Sequence, residues 1–153
     1  MPLPALSDTD RQRIALIALS YERLTGRPLV AAGDDLVAAL WTAPLAIVAH
    51  GTEADPIFFF GNEIALRLFE MDYPTFTRLP SRLSAEPVLR EERSRLLERV
   101  ARDGIIDDYA GVRISAAGRR FRITRAAVWN LAGRDGSPAG QAAAFSTWEP
   151  LSP

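Results

Sequence analysis

The 153-residue chain has no cysteine. Disulfides, thiol catalysis, iron–sulfur clusters and cysteine zinc sites are therefore excluded, and the redox compartment leaves no mark on the sequence. Lysine is absent too, all eighteen basic residues being arginine, and His50 is the only histidine. A lone histidine with no partner at ligand spacing gives no metal-binding pattern. No apolar run approaches the ~18 residues of a membrane-spanning helix and no signal-peptide pattern opens the chain, so a soluble cytoplasmic protein is expected. The net charge of -1 removes any bulk electrostatic case for nucleic acid or an anionic membrane. Internal repeats and low-complexity segments are missing as well.

What is present is enough apolar sequence, 48% of the chain, for one domain with its own core. The stretch from Gly104 to Glu149 organises the rest: three strand-like runs cut by two turn signals. In the first run, Asp107 to Ala116, Ala110, Val112 and Ile114 alternate with Tyr109, Gly111, Arg113 and Ser115. A two-residue turn at Ala117-Gly118 would set Ile114 opposite Phe121 and Val112 opposite Ile123. That register predicts an apolar face running through Phe121, Ile123, Ala127 and Trp129, with Arg125 as its one misfit. Arg113 and Arg122 would then meet on the opposite face, where like charges need acidic cover. The third run, Gly140 to Glu149, would put Phe145, Ala143 and Gln141 on the apolar side.

Upstream, Ser7 and Asp10 form a capping-box pattern for a helix from about Thr9 to Leu24, ended by Gly26. Its apolar band is wide enough for two surfaces, the domain's sheet and a second subunit, or for simple burial within one chain. Asp34 or Asp35 caps a short helix through Trp41. Leu45 to His50 and Ile57 to Phe60 read as an antiparallel strand pair. Asn62 caps a helix through Glu70, Pro74 suits the first turn of another, and Leu79 to Val88 is expected to be irregular. A last helix, about Arg90 to Arg102, should turn Leu96, Leu97, Val100 and Ala101 inward, with Glu91–Arg95 and Glu98–Arg102 pairs. The order predicts an α+β fold: a five-stranded antiparallel sheet with helices on one face and an N-terminal helix. Residues 1–43 would be the helical segment, 44–149 the domain and 150–153 a tail.

Several strings carry a family resemblance: Ser20-Tyr21 with Gly26 and Leu29, His50-Gly51-Thr52-Glu53 with Asp55-Pro56, Leu79-Pro80-Ser81-Arg82 and Ser84-Ala85-Glu86-Pro87. Asp107-Asp108-Tyr109 with Gly111-Val112-Arg113-Ile114, Val128-Trp129-Asn130 and Gly140-Gln141-Ala142-Ala143 continue the match. With the strand and helix order, they make the chain resemble the bacterial stand-alone proteins of the MEKHLA domain family, with a PAS-like fold. The resemblance implies a sensory or interaction role and no settled chemistry.

A pocket would lie between the sheet and the helices, lined by Ile47, Ala49, Phe58, Leu68, Phe69, Phe121, Ile123, Trp129 and Phe145, with Gln141 as polar handle. Some PAS relatives hold flavin, and Gln141 is similar in placement to the amide they aim at it; a cysteine adduct is ruled out. Haem-binding relatives ligate from the long helix, which here has no histidine. Ile14, Ile17, Tyr21, Arg113 and Arg122 are the expected interface of a homodimer or a separate signalling partner. Two other readings are a dimerisation module packed solid, and a small enzyme using His50 with Glu53 or Asp55. Arg113, Arg120 and Arg122 could hold an anion, though on the outer face a helix or second subunit would meet them.

Overall fold

A computed structural model describes residues 1–31, 33–85 and 90–152. Local signals set most of the helix ends. Helix α1, Asp8–Thr25, starts at a complete capping box: the Asp10 N–H donates to Ser7 Oγ at 3.0 Å and the Ser7 N–H to Asp10 Oδ2 at 3.1 Å. Gly26, at φ +72°, ends it. Helix α2, Leu36–Trp41, is capped by Asp35, whose carboxylate accepts the Ala38 N–H at 3.1 Å; that bond holds the carboxyl below its usual range. Strands β1, Ala46–His50, and β2, Phe58–Gly61, form an antiparallel hairpin. Helices α3, Glu63–Phe69, and α4, Tyr73–Phe76, follow, capped by Asn62 and Asp72. A 3₁₀ turn at Ser81–Ser84 opens the irregular stretch, which is described as far as Ala85; the expected Glu86-Pro87 motif and Val88 lie outside the described residues. Helix α5, Arg90–Asp103, leads into β3, Ile105–Ile114, β4, Arg120–Ala132, β5, Pro138–Phe145, and β6, Thr147–Pro150.

The sheet has the order β2-β1-β5-β4-β3, with β6 on β4. The run expected as one final strand is two, broken at Ser146. Strand β5 pairs with β1 and with Ala127–Ala132 of β4, whereas β6 takes the other half of β4, Phe121 to Thr124. Pairing continues past Pro150, because the Leu151 N–H donates to the Arg120 carbonyl at 2.9 Å, so the expected tail is partly sheet.

The β3–β4 register differs from the expected one by a residue. Arg113 faces Phe121, Val112 faces Arg122 and Gly111 faces Ile123, because the connecting loop spans Ser115 to Arg119 rather than two residues. Opposed residues share a face. Tyr109, Gly111 and Arg113 therefore join Phe121 and Ile123, and Val112 joins Arg122 outside. A second departure sits at Arg125, the misfit in the sequence pattern. Its φ is +53°, and between the Gly111–Ile123 and Tyr109–Ala126 pairs β4 spends one residue more than β3. This is a β-bulge. It carries Phe121, Ile123, Ala126 and Val128 to one face and turns Trp129 and Leu131 to the other.

Two faces result, each with its own cover. The outer one carries Ile47, Ala49, Ala142, Ala144, Trp129 and Leu131 beneath α1 and α2, and Trp129 Nε1 donates to the Ile17 carbonyl at 3.0 Å. The Ala132 N–H donates to Ser20 Oγ at 3.2 Å, and Tyr21 meets Trp129 edge-on with centroids 5.0 Å apart. The inner one carries Val48, Phe145, Ala143, Ala126, Val128 and Ile106 beneath α3, α4 and α5. Among the described residues no helix is long and apolar enough to cross a membrane.

Candidate functional site

The helices over the inner face are fixed by one side chain. Asn62 is fully buried, and its Oδ1 accepts the Ile47 N–H at 3.0 Å and the Ala65 N–H at 3.2 Å. Its Nδ2 donates to the carbonyls of Leu45 at 2.8 Å and Leu40 at 3.1 Å. Strand β1, the end of α2 and the start of α3 are thus joined through one amide whose hydrogen-bonding capacity is spent. Gly61 beside it has no Cβ, and one placed there would come within 2.7 Å of the Phe76 ring, so its absence lets α4 approach β2. Phe76 stacks on Phe58 at 4.3 Å and tilts against Phe69, which meets Phe121 edge-on at 5.4 Å. These four rings make the aromatic wall of the inner face.

Opposite that wall the packing changes. Val100 of α5 is buried with Ile106 and Val128 in a small cluster of their own, with Leu96, Tyr109 and Ala143 against it. Phe121, Ile123, Phe145 and the aromatic wall belong to the main core instead. Between the two clusters lies a seam at which Tyr109 and Ala143 are half-buried, although Ala143 stands on the central strand. Leu97 and Ala101, expected inward on α5, are exposed, and Arg102 pairs with Asp103 at 3.0 Å rather than with Glu98. The Glu91–Arg95 pair is present at 3.6 Å.

Beyond Val48, Ala143 and Val128 the next row of the same face is polar: His50 opposite Gln141, and Gln141 opposite Asn130. Gln141 Nε2 donates to Asn130 Oδ1 at 3.3 Å. His50 Nδ1 lies 3.0 Å from the Gly51 carbonyl, which can only accept, so this nitrogen is the donor of that bond. The row borders a solvent-open depression of about 410 Å³ that also touches Thr52, Leu131 and Gly140. Another depression, about 470 Å³, is walled by Trp41, Leu66, Met71 and Tyr73 and roofed by the chain's own N-terminus, whose Met1 carbonyl accepts from Trp41 Nε1 at 3.2 Å.

Of the residues expected to line one pocket, Phe58, Phe69, Phe121, Ile123, Phe145 and Gln141 share the inner face, and Leu68 packs at the margin of the core. Ile47, Ala49 and Trp129 lie on the other side of the sheet, Trp129 because of the Arg125 bulge. The sequence reading missed Asn130, Tyr109 and Val128, for which alternation across an unbroken strand gives the wrong side. Ile14 and Ile17, expected at an interface, are 1% and 0% exposed against the chain's own sheet and are taken up while α1 stays docked. Tyr21 is half-buried on Trp129, Arg122 lies outside opposite Glu149 of β6, and Arg113 lies inside. Asp8, Asp10 and Glu22 of α1, the acidic residues available to cover that arginine face, form no ion pair with Arg113 or Arg122 among the described residues.

Among the described residues no hydrogen bond or ion pair joins His50 to a carboxylate. Glu53 accepts the Ile57 N–H at 3.2 Å and stands 4.0 Å from Arg13, which lies over the Phe59 ring. Its carboxyl is held below the usual range by the turn's own N–H groups, then by Arg13 and His50. Asp55 is engaged by Arg82 at 3.1 Å. No nucleophile, base and orienting acid converge among the described residues.

A family model, the MEKHLA domain, matches residues 11–150. No curated protein matches the chain. Among solved structures, the PAS domain of a protein from Colwellia psychrerythraea is similar over 74% of this chain and 92% of that one, with a TM-score of 0.60 at 15% identity. A light-oxygen-voltage domain studied with a flavin analogue covers 76% of this chain and 84% of its own, with a TM-score of 0.57 at 15% identity. The LOV protein of Rhodobacter sphaeroides gives 0.58 at 11% identity, over 74% of this chain and 63% of that one. At these identities the likeness is one of fold: an antiparallel sheet with helices over its inner face.

Proposed function

The chain belongs to the MEKHLA domain family and has a PAS-like sensory fold, and from that premise we propose that it binds a small molecule in the seam between the inner sheet face and α5. The observation that carries this reading is the half-buried Ala143 on the central strand, between two apolar clusters that are not packed into one. His50, Gln141 and Asn130 give the seam a polar end that can orient a ligand. Binding would change how β4 and β5 sit against α1, which is tied to the sheet by bonds from Trp129 and Ala132 on either side of Asn130. Leu19 and Leu24 of α1 are 50% and 40% exposed, and they offer apolar surface to a second copy or a signalling partner.

Native mass spectrometry and an absorption spectrum of the protein as purified test the reading, with a metabolite thermal-shift screen beside them. A bound compound or a ligand that raises the melting temperature supports it; neither would sink it. Light scattering across a range of concentrations tests the dimer separately, since a mass of one chain throughout removes it. A flavin, of which one structural neighbour was studied with an analogue, would show in the same spectrum.

A further inference from the structure

The six residues before the cap of α1 form an apolar strap with few fastenings. Leu3 and Leu6 pack against the main core, while Pro2 and Pro4 roof the depression of about 470 Å³ beside Trp41 and Tyr73. Among the described residues the strap makes polar contacts at Met1 alone: its carbonyl accepts from Trp41 Nε1 at 3.2 Å and its amine lies 3.3 Å from Glu63 Oε1. No backbone–backbone hydrogen bond among the described residues ties residues 1–6 to the domain. Segments held in this way open more readily than the elements they cover.

The wall beneath is built without the strap. Helix α2 carries Trp41, and Asn62 holds the end of that helix through the Leu40 carbonyl. Tyr73 is fixed by its hydroxyl on the Phe59 carbonyl at 3.1 Å, its ring meets Trp41 edge-on at 5.9 Å, and Phe60 lies edge-on to both. Lifting the strap bares this wall and takes the acceptor from the Trp41 indole N–H, a group that can only donate. An occupant therefore has to bring both an acceptor and apolar surface. Proline offers a carbonyl and a ring, and it has no N–H for an apolar wall to leave unpaired. Its extended conformation is set in advance, which lowers the ordering cost of docking, and aromatic-lined grooves take proline segments on these terms.

We propose that residues 1–6 are a built-in competitor on a docking groove for an extended proline–leucine segment of a partner protein, which displaces the strap and takes its place on Trp41 and Tyr73. The proposal is independent of the small-molecule reading, whose site is the seam beneath α5. The test titrates the full chain with the acetylated, amidated peptide PLPAL, the sequence of residues 2–6, and with the same peptide bearing alanine for both prolines. Calorimetry gives the affinities, and the indole N–H resonances show where the peptide sits. The proline peptide should bind, shift the Trp41 resonance and leave that of Trp129, which donates to the Ile17 carbonyl beneath α1. The alanine peptide should be at least fivefold weaker. Leu3→Ser, which loosens the strap at one of its two leucines, should bind the proline peptide at least tenfold more tightly than the natural chain, because the competitor is weakened. No binding by Leu3→Ser, binding that leaves the Trp41 resonance unmoved, or equal affinity for the two peptides overturns the groove. Equal affinity of the natural chain and Leu3→Ser overturns the strap as competitor. Should Leu3→Ser not fold, Leu3→Ala takes its place in the same comparison.

Discussion

Asn62 concentrates more of the fold than any other residue described. Replacing it with alanine strands two buried carbonyls and two N–H groups at once, and a buried group left unpaired costs about 1–3 kcal/mol. Asn62→Ala is therefore expected to lose roughly 3 kcal/mol or more in denaturant melts. Asn62→Asp separates the two halves of the role: it keeps the acceptor for Ile47 and Ala65 but sets a carboxylate against the Leu40 and Leu45 carbonyls. If aspartate is as stable as asparagine, the bridge to the carbonyls is not what matters. Tyr73 gives a second test. Burial first, then the charge of Asp10, pushes its phenol up to about 12, and its hydroxyl donates to the Phe59 carbonyl at 3.1 Å. A folded pKa above the unfolded one gives stability that is whole below about pH 10 and is lost as the pH rises through about 12. The advantage of the natural chain over Tyr73→Phe should shrink across that window, and the phenolate absorbance that separates the two proteins should develop near its upper end.

Elements whose ends depend on a few neighbouring residues could be read from sequence; those whose register depends on distant pairing could not. Ser7 with Asp10, Asp35, Asn62 and Pro74 all stand where local chemistry puts them, because a cap needs only its own first turn. The faces of β3 and β4 depend instead on the loop from Ser115 to Arg119 and on the bulge at Arg125, and a strand's alternation does not reveal an inserted residue. Glu70 illustrates the same limit. It ends α3 at φ +57° and receives Ser115 Oγ at 2.5 Å together with the Arg119 guanidinium, a latch on the hairpin tip between residues 45 apart or more. Nothing near Glu70 in sequence announces it. The bulge itself can be tested at the backbone. A left-handed conformation costs a branched residue about 1–2 kcal/mol and glycine almost nothing. Arg125→Gly should keep or raise the melting temperature and Arg125→Val should lower it; a valine variant as stable as the parent would argue against the positive φ.

At the scale of the molecule the two readings of the family fold differ in one physical respect, whether the inner face is full. The outer face is closely covered by α1: Ile14, Ile17, Ile47 and Trp129 are all 1% exposed or less, and α1 is bonded to β4 twice. On the inner face the cluster around Val100 and the core around Phe121 share, among the described residues, the half-buried Tyr109 and Ala143. Ala143→Leu places extra methylene and methyl groups at that seam. In a solid interior they force neighbours off their rotamers, at about 1–3 kcal/mol. In an open seam they bury new apolar surface, worth about 25 cal/mol per Å², so stability stays level or rises while a ligand loses its place. The binding module is thus expected to show an unchanged or higher melting temperature in Ala143→Leu together with loss of any compound that the natural chain carries. A marked fall in melting temperature would instead favour the module packed solid, whose work is done by its surface alone.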